Sequence, residues 1–144
     1  LTGSLSIRPS QRIRATGSLI VDRLTRDRTG AEFARTLIPR LELDYQPTRA
    51  LFFRFVGEYR SQRLAALEDP ASGDTLVVNG TPTAASDSNT FRMDWLASYQ
   101  PSPGTVAFFG YGASLDGGVN TLTFSRLVRQ DDGFFVKFAY LFRR

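Results

Sequence analysis

The stretch Leu-Phe-Phe-Arg-Phe-Val-Gly-Glu-Tyr-Arg, residues 51–60, alternates between two kinds of side chain. Every second residue, beginning with Leu51, is apolar or glycine: Leu51, Phe53, Phe55, Gly57 and Tyr59. The intervening positions carry both signs of charge: Phe52, Arg54, Val56, Glu58 and Arg60. Successive side chains of an extended chain point to opposite sides, so a period of two residues predicts a β-strand with one apolar and one polar face.

The same alternation recurs before and after this stretch and predicts an all-β chain of about seven antiparallel strands. The predicted strands are 1–8, 12–25, 35–46, 50–63, 90–100, 105–114 and 133–143. Within residues 106–111 the pattern leaves the face of each side chain open. Because proline lacks an N–H to donate, Pro39 should begin a strand or lie at a bulge.

Short connections centred on proline alternate with long polar ones. The short turns are Arg8 to Gln11, Gln46 to Arg49 and Gln100 to Gly104, and the long segments are 26–31, 65–89 and 115–132. Asn79-Gly80 predicts a turn at the tip of the second long segment. A rival interpretation makes residues 121–129 a further strand, joined to the last one by a turn at Asp131-Asp132-Gly133. We prefer a loop or a strand extension there.

Composition narrows the chemistry that this chain can perform. It has 144 residues with a formal charge of +4, and it contains neither cysteine nor histidine. Thiolate chemistry and the usual general base and zinc ligands are therefore absent, and we expect no catalytic residues, metal or cofactor in this chain. The basic residues are spread along the sequence, so no nucleic-acid partner is expected. No apolar run approaches the roughly 18–20 residues of a transmembrane helix, and any membrane crossing must use strands.

These features favour the C-terminal part of an up-and-down transmembrane β-barrel, with residues 1–144 forming a single partial domain. The apolar positions are expected to face lipid: Leu41, Leu43, Tyr45, Leu51, Phe53, Phe55, Tyr59, Met93, Trp95, Tyr99, Val136, Phe138, Tyr140 and Phe142. The polar positions are expected to line a wet lumen: Arg14, Arg40, Glu42, Asp44, Arg54, Glu58, Arg60, Arg92, Asp94 and Lys137. An arginine facing lipid at mid-depth costs roughly 2–4 kcal/mol, which accounts for the charge-free apolar faces.

The position of the tyrosines and the order of connections predict the orientation. Tyr45, Tyr99 and Tyr140 stand on the apolar faces beside short turns or near the chain end, as an interfacial girdle requires. Short periplasmic turns and long external loops would place the chain end on the periplasmic side of a Gram-negative outer membrane. The ending Tyr140-Leu141-Phe142 is similar to the assembly signal on the last strand of outer-membrane proteins, although Arg143 and Arg144 follow it. Since such barrels have even strand numbers from about eight upward, at least one upstream strand is expected before Leu1.

Several short segments of the sequence resemble one known family. They are Arg40-Leu41 through Tyr45-Gln46, Arg49 to Phe55, Asp94-Trp95-Leu96, Tyr99 to Thr105, Gly110-Tyr111-Gly112, and Asp132 to Lys137 with Tyr140 to Arg143. The chain from about Arg35 onward resembles the C-terminal barrel-like domain of unknown function in bacterial proteins that carry an N-terminal family 9 type carbohydrate-binding module. The resemblance implies a barrel fold and an upstream sugar-binding module. It implies no catalytic residues in this chain.

The resulting prediction is an outer-membrane barrel segment that anchors a protein or forms a porin-like passage for small solutes, saccharides among them. Its partners would be the lipid bilayer, the barrel-assembly machinery and upstream strands of the same protein. The arginines and acids inside would set any selectivity. Two alternatives stay open: a soluble β-barrel or sandwich that binds an apolar ligand or a partner protein, and a membrane anchor for an enzyme or sugar-binding domain lying upstream.

Overall fold

The computed structural model describes residues 1–117 and 127–141. Its strands, in chain order, are β1 (Thr2–Ser10), β2 (Ile13–Thr25), β3 (Glu32–Tyr45), β4 (Leu51–Leu64), β5 (Val77–Val78), β6 (Thr81–Pro82), β7 (Ser86–Ser102), β8 (Thr105–Gly117) and β9 (Leu127–Tyr140). Seven of them form one sheet in the order β1-β2-β3-β4-β7-β8-β9, and every pairing in it is antiparallel. The predicted all-β class and the predicted seven strands are confirmed.

Each long strand pairs with its neighbours in sequence, so the sheet is a meander. In the described part of the chain β1 and β9 are the two edges of the sheet, and no pairing joins them. Strong contacts between elements are confined to hydrogen-bonded neighbours. The described residues therefore form a single layer, and no second layer packs on either face.

The last strand extends further towards the N-terminus than the sequence predicts. β9 begins at Leu127 and runs through Asp131, Asp132 and Gly133, which pair with Ser114, Ala113 and Gly112 of β8. The rival turn at these residues is therefore wrong, and residues 121–126 lie outside the described part of the chain. A register shift between Ser114 and Leu115 leaves Gln130 without a partner on β8, and the strand continues across this bulge.

The prolines also differ from prediction. Pro39 lies inside β3 and pairs with Leu19, but the β3–β4 register lacks partners at Ile38 and Pro39, where proline donates no N–H. Pro9 and Pro101, predicted as turn residues, belong to β1 and β7. Both lie within register irregularities, between Ile7 and Ser10 and between Tyr99 and Ser102, where the ladder needs no further donor.

The long β4–β7 connection is ordered by its own hairpin and by two arginines. β5 and β6 pair around Asn79 and Gly80, whose φ values of 51° and 79° confirm the turn predicted there. Arg26 of the β2–β3 loop donates to the carbonyl oxygen of Ala66, and its Nη2 lies 3.3 Å from Glu68 Oε1. Arg28 donates to the carbonyl oxygens of Pro70 and Ala71. The two long loops therefore form one connected surface at this end of the sheet.

Candidate functional site

The strand register sorts the side chains into two faces. Cross-strand partners point to the same side of a sheet, and the side alternates along each strand. Arg40, Glu58 and Arg92 form one row across β3, β4 and β7, while Asp44 and Arg54 belong to a second row on the same side. Odd-numbered neighbours such as Leu41 and Leu43 point to the opposite side.

All the residues predicted to line a lumen fall on one side, which we call the charged face: Arg14, Arg40, Glu42, Asp44, Arg54, Glu58, Arg60, Arg92, Asp94 and Lys137. Their positions extend from β2 to β9, so the charged face crosses nearly the whole sheet. That this face encloses water stays a prediction, since the described sheet has two open edges.

Arg54 is the centre of the ion pairs on the charged face. Its Nε donates to Asp44 Oδ1 at 2.7 Å and its Nη2 donates to Asp44 Oδ2 at 3.2 Å, a two-point contact. Glu42 Oε1 lies 3.7 Å from Arg54 Nη2, and the guanidinium stands 5.5 Å from the centre of the Phe52 ring. Further along the face, Arg40 Nη1 lies 3.4 Å from Glu58 Oε2. These pairs orient the charges across β3 and β4 while they remain in contact with solvent.

A groove of about 640 Å³ opens beside Arg54 on the charged face. Asp94 and Asp131 contribute carboxylates to its wall, and Phe135 contributes an aromatic ring. Glycines at 110 and 112 of β8 leave space for neighbours: an added Cβ at Gly110 would overlap the Phe135 ring, and one at Gly112 would lie 2.9 Å from Asp94 Oδ1. A concave surface with acids, a guanidinium and one ring can hold a small polar solute.

The residues predicted to contact lipid lie on the other side, which we call the apolar face: Leu41, Leu43, Tyr45, Leu51, Phe53, Phe55, Tyr59, Met93, Trp95, Tyr99, Val136, Phe138 and Tyr140. Phe142 lies outside the described residues. Four rings form a continuous series across β3, β4, β7 and β8. Ring centres are 6.3 Å apart for Tyr45 and Phe53, 5.9 Å for Phe53 and Trp95, and 5.7 Å for Trp95 and Phe109.

The apolar face is uncovered by other described residues. Trp95 is 38% exposed, Tyr99 52% and Phe138 68%, and no described side chain has less than 2% exposure. Charges on this side are at the end of the sheet nearest the long loops: Arg23, Glu32, Arg35, Arg63, Asp87, Arg129 and Asp132. Asp132 accepts a hydrogen bond from the Tyr111 hydroxyl at 3.2 Å and lies 3.5 Å from Arg129 Nη1.

Sequence reasoning missed the groove and left open which face each side chain of residues 106–111 occupies. The register places Ala107, Phe109 and Tyr111 on the apolar face, and Phe108 and Gly110 on the charged face. The Gly110-x-Gly112 spacing opposite an aromatic strand is the signal that could have located the groove, because glycine inside a strand marks a close approach of another group.

Among residues 1–117 and 127–141, no three His, Cys, Asp or Glu side chains gather as a metal site. The same residues include no helix that is long and apolar enough to cross a membrane. No protein-family model, curated protein or solved structure matches this chain.

Proposed function

We propose that this chain is a wall segment of a β-barrel in a bacterial outer membrane, with the apolar face against lipid and the charged face against enclosed water. In this role it anchors the protein in the membrane and lines a passage for small polar solutes. The proposal agrees with the resemblance to the barrel-like domain that follows a carbohydrate-binding module, and saccharides are the solute class that the resemblance suggests.

The observation that carries the proposal is the separation of side chains between two exposed faces. A soluble sheet buries its apolar face under a second layer, since water around so many aromatic rings is costly. Here the rings of Trp95, Tyr99 and Phe138 stay exposed, while ion pairs such as Arg54 with Asp44 occupy the opposite face. A bilayer supplies the missing apolar layer, and alternation of apolar-out and polar-in is typical of membrane strands.

The short turns support tilted strands. Ile13, where β2 begins, shares a row with Tyr45, Phe53 and Ala97. β7 continues beyond Ala97 as far as Ser102 before its own short turn. The edge of the sheet that carries the short turns is therefore displaced along the strand direction from β2 to β7. A stagger of this kind accompanies the roughly 35–45° tilt of strands in a barrel. Edge strands β1 and β9 would then pair with the remaining strands of the same protein.

The single tryptophan allows a direct test of lipid contact. In phosphatidylcholine vesicles whose acyl chains carry bromine, Trp95 fluorescence should be strongly quenched, because its ring would lie among the chains. The matched control moves the reporter by one residue: Trp95→Phe with Leu96→Trp places the ring on the charged face. That variant should escape brominated lipid and be quenched by aqueous acrylamide instead.

Two outcomes contradict the proposal. Equal quenching of both reporters by brominated lipid would show that the two faces do not separate lipid from water. A chain that stays monomeric and folded in buffer, with Trp95 shielded from acrylamide and from lipid, would instead favour a soluble β-barrel or sandwich with an apolar ligand or partner.

A further inference from the structure

Three arginines occupy one row on the apolar face, at the end of the sheet nearest the long loops. Arg23 of β2 is directly opposite Arg35 of β3, and Arg35 is directly opposite Arg63 of β4. Directly opposite residues have Cβ atoms about 4.5–5.5 Å apart, and like charges at that spacing destabilise a sheet. The row therefore needs negative charge close to it.

The protein supplies part of that charge. Glu32 Oε2 lies 2.7 Å from Arg23 Nε, and Asp87 Oδ1 lies 3.2 Å from Arg63 Nε. Arg35, between the two, makes no ion pair or side-chain hydrogen bond with residues that the structure describes, and it is exposed. Its guanidinium offers five N–H donors, so the middle of the row is an open position for an anion.

The arginine row lies at a fixed distance along the strands from the tyrosines beside the short turns. Arg35 and Tyr45 are ten residues apart on β3 and lie on the same face. At about 3.3 Å per residue this is about 33 Å along the strand. A tilt of roughly 40° reduces it to about 25 Å across the membrane, the height of the apolar band of an outer-membrane barrel. The arginines would therefore lie at the boundary opposite the tyrosines, at the level of lipid headgroups.

We propose that Arg23, Arg35 and Arg63 bind the phosphate of an anionic lipid headgroup, with Arg35 as the central ligand. The inference rests on the proposed membrane function. Guanidinium groups match phosphate oxygens with paired N–H donors, so a row of them selects phosphate better than a single charge does. Glu32 and Asp87 hold the flanking arginines in place and limit the repulsion along the row.

The test measures lipid preference beside the row. A reporter with Trp95→Phe and Leu37→Trp places the ring on the apolar face, two residues from Arg35. Quenching by brominated phosphatidylglycerol is compared with quenching by brominated phosphatidylcholine in mixed vesicles, and the ratio gives the relative association constant. We expect phosphatidylglycerol to be favoured about fivefold or more, the factor that ~1 kcal/mol per arginine near an anionic surface represents.

Matched variants assign the preference to the row. Arg35→Gln should reduce it about fivefold, the share of one arginine, whereas Arg35→Lys, which keeps the charge but not the paired donors, should reduce it by less. Arg60→Gln is the control, because Arg60 is on β4 near Arg63 but belongs to the charged face. The reporter that also carries Arg60→Gln should prefer phosphatidylglycerol as strongly as the reporter without that change.

The remaining outcomes separate three failures. Equal association constants for the two lipids, or equal losses in Arg35→Gln and Arg60→Gln, overturn the lipid site alone. If the lipid preference is absent while inorganic phosphate, but not chloride at the same ionic strength, shifts the reporter's emission, the row binds free phosphate and the lipid assignment is wrong. If neither brominated lipid quenches the reporter, the proposed membrane function fails as well.

Discussion

At the scale of single residues, Gly110 determines the shape of the charged face. It pairs with Phe135 across β8 and β9, and an added Cβ would overlap the Phe135 ring. Glycine inside a strand normally weakens it, since there is no side chain to pack. Here the missing side chain lets the ring lie over position 110 and form one wall of the groove beside Arg54.

We expect Gly110→Ala to lower the free energy of unfolding by about 1–3 kcal/mol, the usual cost of forcing an extra methyl group into a filled space. The control is Gly17→Ala in β2, where no atom lies within 4 Å of an added Cβ. It should change stability by less than about 1 kcal/mol. Urea unfolding followed by the fluorescence of Trp95 measures both, and equal midpoints for the two variants would contradict the close contact.

At the scale of elements, the long β4–β7 connection is attached to the β2–β3 loop rather than free. The Arg26 side chain is only 20% exposed, because it lies 5.4 Å from the centre of the Phe33 ring and contacts Glu68. The backbone N–H of Ala65 donates to the carbonyl oxygen of Phe33 beside it. Arg26 therefore links the start of the β4–β7 connection to the N-terminal end of β3.

Arg26→Gln should release this connection without unfolding the sheet. Hydrogen bonds to a charged group contribute about 1.5–3 kcal/mol, so amide exchange within residues 67–76 should accelerate roughly tenfold or more, since ~1.4 kcal/mol is a factor of ten. Hydrogen exchange read by mass spectrometry measures the change, with β3 and β4 amides as internal references. Arg12→Gln, in the β1–β2 turn, is the control. Equal acceleration in β3 would show that Arg26 supports the sheet instead.

At the scale of the whole molecule, the charged face carries both unpaired bases and unpaired acids. Arg14, Arg60, Arg92 and Lys137 make no ion pair with the residues described, and neither do Asp94, Asp116 and Asp131 on the same face. Fixed positive charge along a narrow wet passage attracts anions and repels cations. Each unpaired base should therefore shift the selectivity of the proposed passage towards anions.

The proposed barrel, studied as the full-length protein in a planar bilayer, should show a reversal potential under a potassium chloride gradient that depends on these bases. Arg60→Gln with Arg92→Gln should move that potential towards the cation side, because two unpaired charges leave the face. Arg49→Gln in the β3–β4 turn is the control and should have a much smaller effect. An unchanged potential in the double variant would exclude these arginines from setting selectivity.

The division of side chains between two faces was predictable from the sequence because it is a local property. In a strand the side of each residue follows from its position in the chain, so residues 51–60 already separate Phe53 from Arg54 without knowledge of any partner. The same holds for the turn at Asn79-Gly80, which depends on residues next to each other.

Only the tertiary structure decided features that depend on the neighbouring strand. The passage of β9 through Asp131 and Gly133, the gap in pairing at Pro39, the groove at Gly110 and the row around Arg35 all arise from register. Register joins residues far apart in the chain, and its hydrogen bonds form only when two strands meet. For that reason the sequence by itself determined which side chains share a face outside residues 106–111, and the assembled sheet decided which of them touch.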